Sequence, residues 1–418
     1  MKRLSVILVS FLLYLPLSAQ FKGTVYVDTD QSGLFNKGDK PLAGVMVTDG
    51  LNVVKTDKKG RFSLPGFDKT RFISITTPAG FETEQFYLST KENRKSYDFI
   101  LTESERTKAR EHSFVQITDT EVTGGMGRWV TDLQQYVKNE KPAFLIHTGD
   151  ICYEPGLTMH NQIVNAQTMD CPVYYCIGNH DLVKGSYGEE LYESRGLGDV
   201  YKRQTWYSFD MGNVHYVVTP IDHGDHPTNY TQKDVYNWLK NDLAMMKKEQ
   251  ALILFNHDLF TASDTFVFKA DKEHTLDLRA FNTKAQIYGH MHYNYVRNQN
   301  GIYTICTGTL DKGGIDHSPS SFREIKVDGN DNITTQLRYT FIEPQIAIVS
   351  PMNNQISAAT GDRLPVSVNT YHAQAKTSHV SYILSDIENN QEIAKGNLIS
   401  LTDWNWSCLL YTSDAADE

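Results

Sequence analysis

Residues 143–150 read AFLIHTGD and residues 173–181 read VYYCIGNHD. In each, an apolar run of strand length stops at a glycine, and residues able to bind a metal or move a proton follow directly. The stretch FVQITDTE at 114–121 is a similar strand-like run that ends at Asp119 without a glycine, and it delivers Asp119 and Glu121. Between these runs, Arg128 to Lys138 and His160 to Met169 carry helix-like spacing. Further strands fit Val214 to Thr219, Leu252 to Asn256, Gln286 to Gly289 and Tyr303 to Thr307. Strand, loop and helix in repetition predict a layered α/β core, in which ligands collect beyond the ends of the strands.

Five polar signatures stand at those predicted strand ends. They are Asp119 with Glu121, Gly149 with Asp150, Gly178-Asn179-His180-Asp181, Asn256-His257, and Gly289-His290-Met291-His292. Carboxylates and imidazoles in this number are what a pair of divalent cations requires. Such a pair, held about 3.5–4 Å apart, clamps a phosphate and lowers the pKa of water enough to generate a nucleophile near neutral pH. His290 and His292 are two residues apart, so an extended backbone would send both to one face.

In order and spacing, residues 112 to 312 resemble the calcineurin-like metallophosphoesterases, with GNHD followed later by GHMH as the specific combination. The resemblance implies a four-layer α/β/β/α sandwich and a dinuclear site. Carried over position by position, it places one metal on Asp119, Glu121, Asp150 and His292. The second metal takes Asp150 as the bridge, with Asn179, His257 and His290. It implies hydrolysis of phosphodiesters or phosphomonoesters by a metal-bridging hydroxide, with His180 as general acid.

Two positions depart from the family pattern. Glu121 stands where the commonest pattern has His, which makes the first site harder and favours manganese, iron or magnesium over zinc. The alternative is that Glu121 only accepts a hydrogen bond from bound water. Tyr153 occupies the place, three residues after Asp150, where the family's protein phosphatases have Asp. That leaves Asp181 or Glu154 to hold His180.

Around this core the pattern changes. Residues 20–103 alternate apolar and polar in short runs divided by Gly, Pro and Asp, which predicts a small β-sandwich. Within it Asp28, Asp30, Ser32, Asn36 and Asp39 follow the ligand rhythm of a calcium loop, with Gly33 at the turn. The other reading of this stretch is a polar hairpin loop. The α/β region is expected over 110–342, and 343–407 reads as a C-terminal β-sandwich with an incomplete core. Two strings, GDVYKRQ at 198–204 and CLLYTSDAADE at 408–418, resemble translated sequencing-adapter sequence.

The first 19 residues place Lys2 and Arg3 before an apolar run and end in Ser18 and Ala19, the layout of a cleavable secretory signal. An exported protein is therefore expected, in the periplasm, at the outer surface or secreted, with no transmembrane segment. The formal net charge of −10 opposes a long nucleic-acid groove. A small phosphoester remains compatible, because metal ions supply the positive field locally.

Other residues receive plainer readings. Cys152, Cys171, Cys176, Cys306 and Cys408 match no zinc pattern; export permits a disulfide, and Cys171 and Cys176, which flank an apolar stretch, read as buried free thiols. His215, on a predicted strand, reads as a packed core histidine, and Trp206, Tyr207 and Phe209 as core aromatics. His223, Asp225, His226 and Tyr230 lie in a polar loop where substrate contacts can arise. Two non-enzymatic readings compete. One is a surface binding protein on a degenerate phosphoesterase fold, motivated by Glu121 and Tyr153, and the other is an adhesion protein organised by calcium at Asp28 to Asp39.

Overall fold

The computed structural model describes residues 21–122 apart from 31 and 34, then 127–151, 156–182, 205–259, 261, 265–352 and 363–411. The expected signal sequence, the string at 198–204 and most of the string at 408–418 lie outside the described residues.

Two mixed sheets form the centre. The first runs in the order Val173–Tyr175, Phe144–His147, His112–Ile117, Ser321–Val327, Ile333–Tyr339. Its first three strands are parallel and the last two antiparallel. The second runs Tyr207–Met211, Val214–Val218, Ala251–Phe255, Asn282–Tyr288, Ile302–Cys306, Tyr295–Gln299. Its four inner strands are parallel, with an antiparallel strand at each edge.

Side-chain alternation stacks these sheets into layers. Phe114, Phe144, Ile146, Tyr216, Ile253, Phe255 and Ile287 share the core between the sheets. The rings of Phe114 and Phe144 stack with centroids 4.6 Å apart. The opposite faces bury helices: Val115, Ile117 and Leu145 pack with Trp129, Leu133 and Val137 of the helix Arg128–Glu140. Val217, Leu252 and Leu254 pack with Val235, Trp238 and Leu239 of the helix Gln232–Met245. The result is helix, sheet, sheet, helix, the expected four-layer α/β/β/α order.

The expected single helix over His160 to Met169 is instead two, Leu157–Ile163 and Ala166–Met169. Asn165 causes the break. Its side chain accepts from Gln167 N and Thr168 N, while Thr168 Oγ1 accepts from Asn165 N, a reciprocal cap that starts a new helix.

The N-terminal region holds two small facing sheets. One is built on Phe21–Val27, Arg61–Leu64 and Phe99–Glu103, the other on Val53–Lys55, Met46–Thr48, Phe72–Ile75 and Tyr87–Ser89. It docks on the second central sheet, where Trp206 Nε1 donates to Gly50 O at 3.0 Å and Lys69 pairs with Asp234 at 2.7 Å. At the other end, Gln345–Ser350, Arg363–Tyr371, Asn405–Tyr411 and Ile399–Ser400 make a sheet beside the hairpin of Ser381–Ser385 and Glu392–Asn397. Cys408 and Leu410, from the string read as foreign, pair there with Val366 and Leu364. The buried apolar cluster of this region is small, Val368, Val380, Leu398 and Trp406, and Ile346 and Ile348 remain exposed. Among the described residues, no helix is long and apolar enough to cross a membrane.

Candidate metal centre

The parallel strands of both sheets end on the same side of the molecule, and the polar signatures sit just beyond those ends. His112–Ile117 delivers Asp119, Phe144–His147 delivers Asp150, and Val173–Tyr175 delivers Asn179 and His180. From the second sheet, Ala251–Phe255 delivers His257 and Asn282–Tyr288 delivers His290 and His292. The topology therefore gathers residues from 119 to 292 into one place.

The side chains converge, with their candidate ligand atoms close together. His257 Nε2 lies 2.9 Å from Asn179 Oδ1, 3.2 Å from Asp150 Oδ2 and 3.1 Å from His290 Nδ1. His257 Nδ1 faces Thr148 O at 2.8 Å. A proton on Nδ1 there would leave the Nε2 lone pair for the site, the usual arrangement of a metal-ligating imidazole. On the other side of the cluster, Asp119 Oδ1 is 3.2 Å from His292 Nε2 and 4.0 Å from His257 Nε2. Among the described residues no donor is well aligned on that buried oxygen, the His292 imidazole being its nearest polar neighbour, although Oδ2 of the same group accepts from Thr118 Oγ1 and His290 N. An orphaned buried carboxylate oxygen is costly unless a cation meets it.

Electrostatics point the same way. Asp119 and Asp150 are buried, and among the described residues their ion-pair partners are histidines alone. Burial opposes charge on His257, yet Asp150, Asp119 and the Thr148 carbonyl push its pKa up to about 9. The same field draws any small cation.

The backbone is strained at these positions. Asp119, Glu121, Asp150, His290 and His292 have φ between 40° and 65°, a region that residues with a side chain seldom enter. Such strain persists only where the surroundings enforce it, and it concentrates at functional sites. Two glycines allow the loops to close. A Cβ on Gly178 would stand 2.2 Å from Asp150 N, and one on Gly289 would stand 1.8 Å from Thr118 Oγ1.

Several expectations need correction. Asp181 does not hold His180: it is buried and accepts from the backbone N–H groups of Asp150, Ile151 and Gly178 at 2.8–2.9 Å. Glu154 and Tyr153 lie outside the described residues. Among the described residues, His180 Nδ1 meets Asp225, whose Oδ2 lies 2.9 Å away. Gly224 makes this approach workable, since a Cβ there would meet Asn179 O at 2.4 Å. Burial lowers the pKa of His180, but the Asp225 hydrogen bond and the charges of Asp150, Asp225 and Glu121 carry it above its ordinary value. His180 Nε2 lies 4.0 Å from Asp150 Oδ2, so the ring edge faces the cluster.

Glu121 joins the cluster with Asp150 and His180, their candidate ligand atoms lying within 4.8 Å of one another. Its Oε2 also bonds Lys312 Nζ at 2.6 Å, a partner that sequence reasoning missed. Of the polar-loop residues, Tyr230 is buried, and its hydroxyl donates to Ile221 O, so its role is packing. His223 is exposed and pairs with Asp222, and His226 is exposed. His215 is a core histidine, wholly buried between Asp210 and Asp242. Asn256 is buried, donates to Thr219 Oγ1 and Pro220 O, and serves to shape its loop. Cys171, Cys176 and Cys306 are buried and free.

In the N-terminal region, Asp28, Asp30 and Asp39 bring carboxylate oxygens within 4.8 Å of one another. Asp28 also accepts from Ser32 N and Gly33 N, Asp30 accepts from the Asn36 amide, and Asp39 accepts from Asn36 N.

Comparison with known proteins gives the frame for this geometry. Residues 112–294 match the calcineurin-like phosphoesterase family, and residues 29–104 match the N-terminal domain of calcineurin-like phosphoesterase. No curated protein matches the chain. Among solved structures, a dimetal phosphatase from Danio rerio is 12% identical with a TM-score of 0.37, covering 55% of this chain and 99% of that one. A purple acid phosphatase from Lupinus luteus seeds is 14% identical with a TM-score of 0.41, covering 71% and 67%. A putative 5'-nucleotidase from Staphylococcus aureus is 14% identical with a TM-score of 0.35, covering 58% and 56%. Likenesses this distant carry no argument about activity.

Proposed function

Because residues 112–294 belong to the calcineurin-like phosphoesterases and residues 29–104 to their N-terminal partner domain, we propose that this chain is a dinuclear-metal phosphoesterase acting on small phosphodiesters or phosphomonoesters. Asp119, Asp150 and His292, with Glu121, would hold one divalent ion, and Asp150, Asn179, His257 and His290 the other. When bound, such a pair supplies Lewis acidity to the phosphoryl oxygens and makes water nucleophilic near neutral pH. Glu121 in place of an imidazole makes the first position harder and suits manganese, iron or magnesium there, while the imidazoles of the set also admit zinc.

The chain's own residues supply the rest. His180 presents Nε2 toward the cluster while Asp225 holds Nδ1 and favours the charged ring. It can thus deliver a proton to the leaving alkoxide. Asp181 fixes the backbone of both loops that carry Asp150 and His180. The observation that carries this reading is the orphaned Oδ1 of Asp119 amid imidazoles that converge on Asp150 and Asn179. Metal analysis after chelation and reloading tests it. The reading requires about two divalent ions per wild-type chain and fewer after Asp119→Asn, and no specific uptake by wild type would reject it.

The sequence of the first 19 residues supports action outside the cytoplasm, and fractionation of cells making the full chain would test that proposal. A surface binding role without turnover is the second reading, favoured by the engagement of Glu121 with Lys312. It predicts that metals bind and no ester is cleaved. The Asp28, Asp30 and Asp39 cluster supports a calcium site in the N-terminal domain, and a calcium-dependent rise in melting temperature, abolished by Asp30→Ala, would identify it.

A further inference from the structure

Glu121 departs from the family pattern, and the structure gives that departure a partner. Lys312 reaches it from the loop that follows the strand Ile302–Cys306, at 2.6 Å. The lysine's backbone is fixed: Lys312 N donates to Thr309 Oγ1 at 3.1 Å, and Thr309 Oγ1 donates to Gly313 O at 3.0 Å. Gly313 adopts φ 73°, which closes the turn. The Glu121 side chain is 12% exposed and that of Lys312 is 53% exposed. The carboxylate thus lies beneath, against Asp150 and His180, and the ammonium stands at the mouth of the same cluster.

Charge gives the pair a purpose. A glutamate in place of a neutral imidazole adds one negative charge to a site that must accept a phosphate anion. Lys312 cancels that charge on the solvent side, where a substrate arrives. The ion pair also orders a long side chain in advance, so less freedom is lost when a substrate oxygen engages it. Near neutral pH a phosphomonoester carries close to two negative charges and a diester one. A lysine placed there separates the two by charge.

We propose that Lys312, anchored by Glu121, contacts a non-bridging oxygen of the substrate's phosphoryl group and biases the site toward phosphomonoesters. This rests on the phosphoesterase reading above, and it names the feature that selects among esters.

The test compares wild type, Lys312→Met and Lys312→Arg, all loaded with manganese. KM and kcat are measured for 4-nitrophenyl phosphate and bis(4-nitrophenyl) phosphate, inorganic phosphate binding by calorimetry, and metal content by elemental analysis. Lys312→Met should raise KM for the monoester and weaken phosphate binding about tenfold, the effect of one charge-assisted hydrogen bond. KM for the diester should move by less than about twofold, metal content should hold, and Lys312→Arg should restore most of the monoester preference. Equal losses on both esters, unchanged phosphate binding, or a loss of metal in Lys312→Met would overturn the assignment of Lys312 alone. A wild-type chain that cleaves neither ester would overturn the phosphoesterase reading, and this inference with it.

Discussion

His180 Nδ1 and Asp225 Oδ2 lie 2.9 Å apart, although 45 residues separate them in the chain. The aspartate is on the loop between the strand Val214–Val218 and the helix Gln232–Met245, and its backbone N–H donates to Asn179 O at 3.1 Å. Side chain and backbone of one residue therefore set both the orientation of His180 and the position of the loop that carries it.

Asp225→Asn should cost more with a poor leaving group than with a good one. If His180 protonates the leaving oxygen, an alkyl phosphate needs that proton and a nitrophenyl phosphate scarcely does. A drop in kcat of about tenfold to a hundredfold on an alkyl ester, against a much smaller drop on the nitrophenyl ester, is expected. Equal losses on both would show that Asp225 acts only on loop structure.

Asp181→Asn should weaken the scaffold beneath the metals. The buried carboxylate accepts three backbone N–H groups, and an amide can offer only one oxygen to them. A loss of roughly 1–3 kcal/mol in unfolding free energy is expected, with weaker metal retention. Chemical denaturation with parallel metal analysis reads both, and unchanged values would remove Asp181 from this role.

Gly289→Ala should empty the site without reaching the core. Its Cβ would stand 1.8 Å from Thr118 Oγ1 and 2.7 Å from Asp119 Oδ2. Asp119 must shift, so metal content should fall while the far-ultraviolet circular dichroism stays near wild type. Full metal occupancy in this variant would contradict the geometry given for Asp119.

His215 links stability to pH. Its burial disfavours the charged ring, but Asp242 and Asp210 raise its pKa from 6.5 to about 10. A raised folded-state pKa gives stability that is fully present below about pH 6.5 and is lost as pH rises through about 10. The contribution is on the order of a few kcal/mol. Melting temperatures between those limits should fall more steeply for wild type than for His215→Gln, and parallel curves would refute the linkage.

Much of this was legible because strand period and motif position coincide. Phe114 and Phe144 face one layer while Val115 and Leu145 face the next, and that alternation fixes which strand ends point together. The polar signatures then fall at those ends whatever the loops do. Partners set by distant loops were hidden. No spacing in the sequence ties Asp225 to His180 or Lys312 to Glu121, because each pair is made by sheet topology. Asp181 misled for a local reason: beside His180 in sequence, it turns instead to three backbone donors buried beneath the loop. Asn165 could have been read as a helix start, since a side chain of its kind with Thr three residues on is a capping signal, and it divides the helix expected over His160 to Met169.

The most direct test of the central claim is hydrolysis of bis(4-nitrophenyl) phosphate and 4-nitrophenyl phosphate by the wild-type chain, stripped of metal and reloaded with manganese, beside Asp150→Ala. Turnover that appears only with metal and falls by at least about a thousandfold in Asp150→Ala is the predicted result. A folded, metal-loaded wild type that cleaves neither ester, or an Asp150→Ala variant as active as wild type, would contradict it.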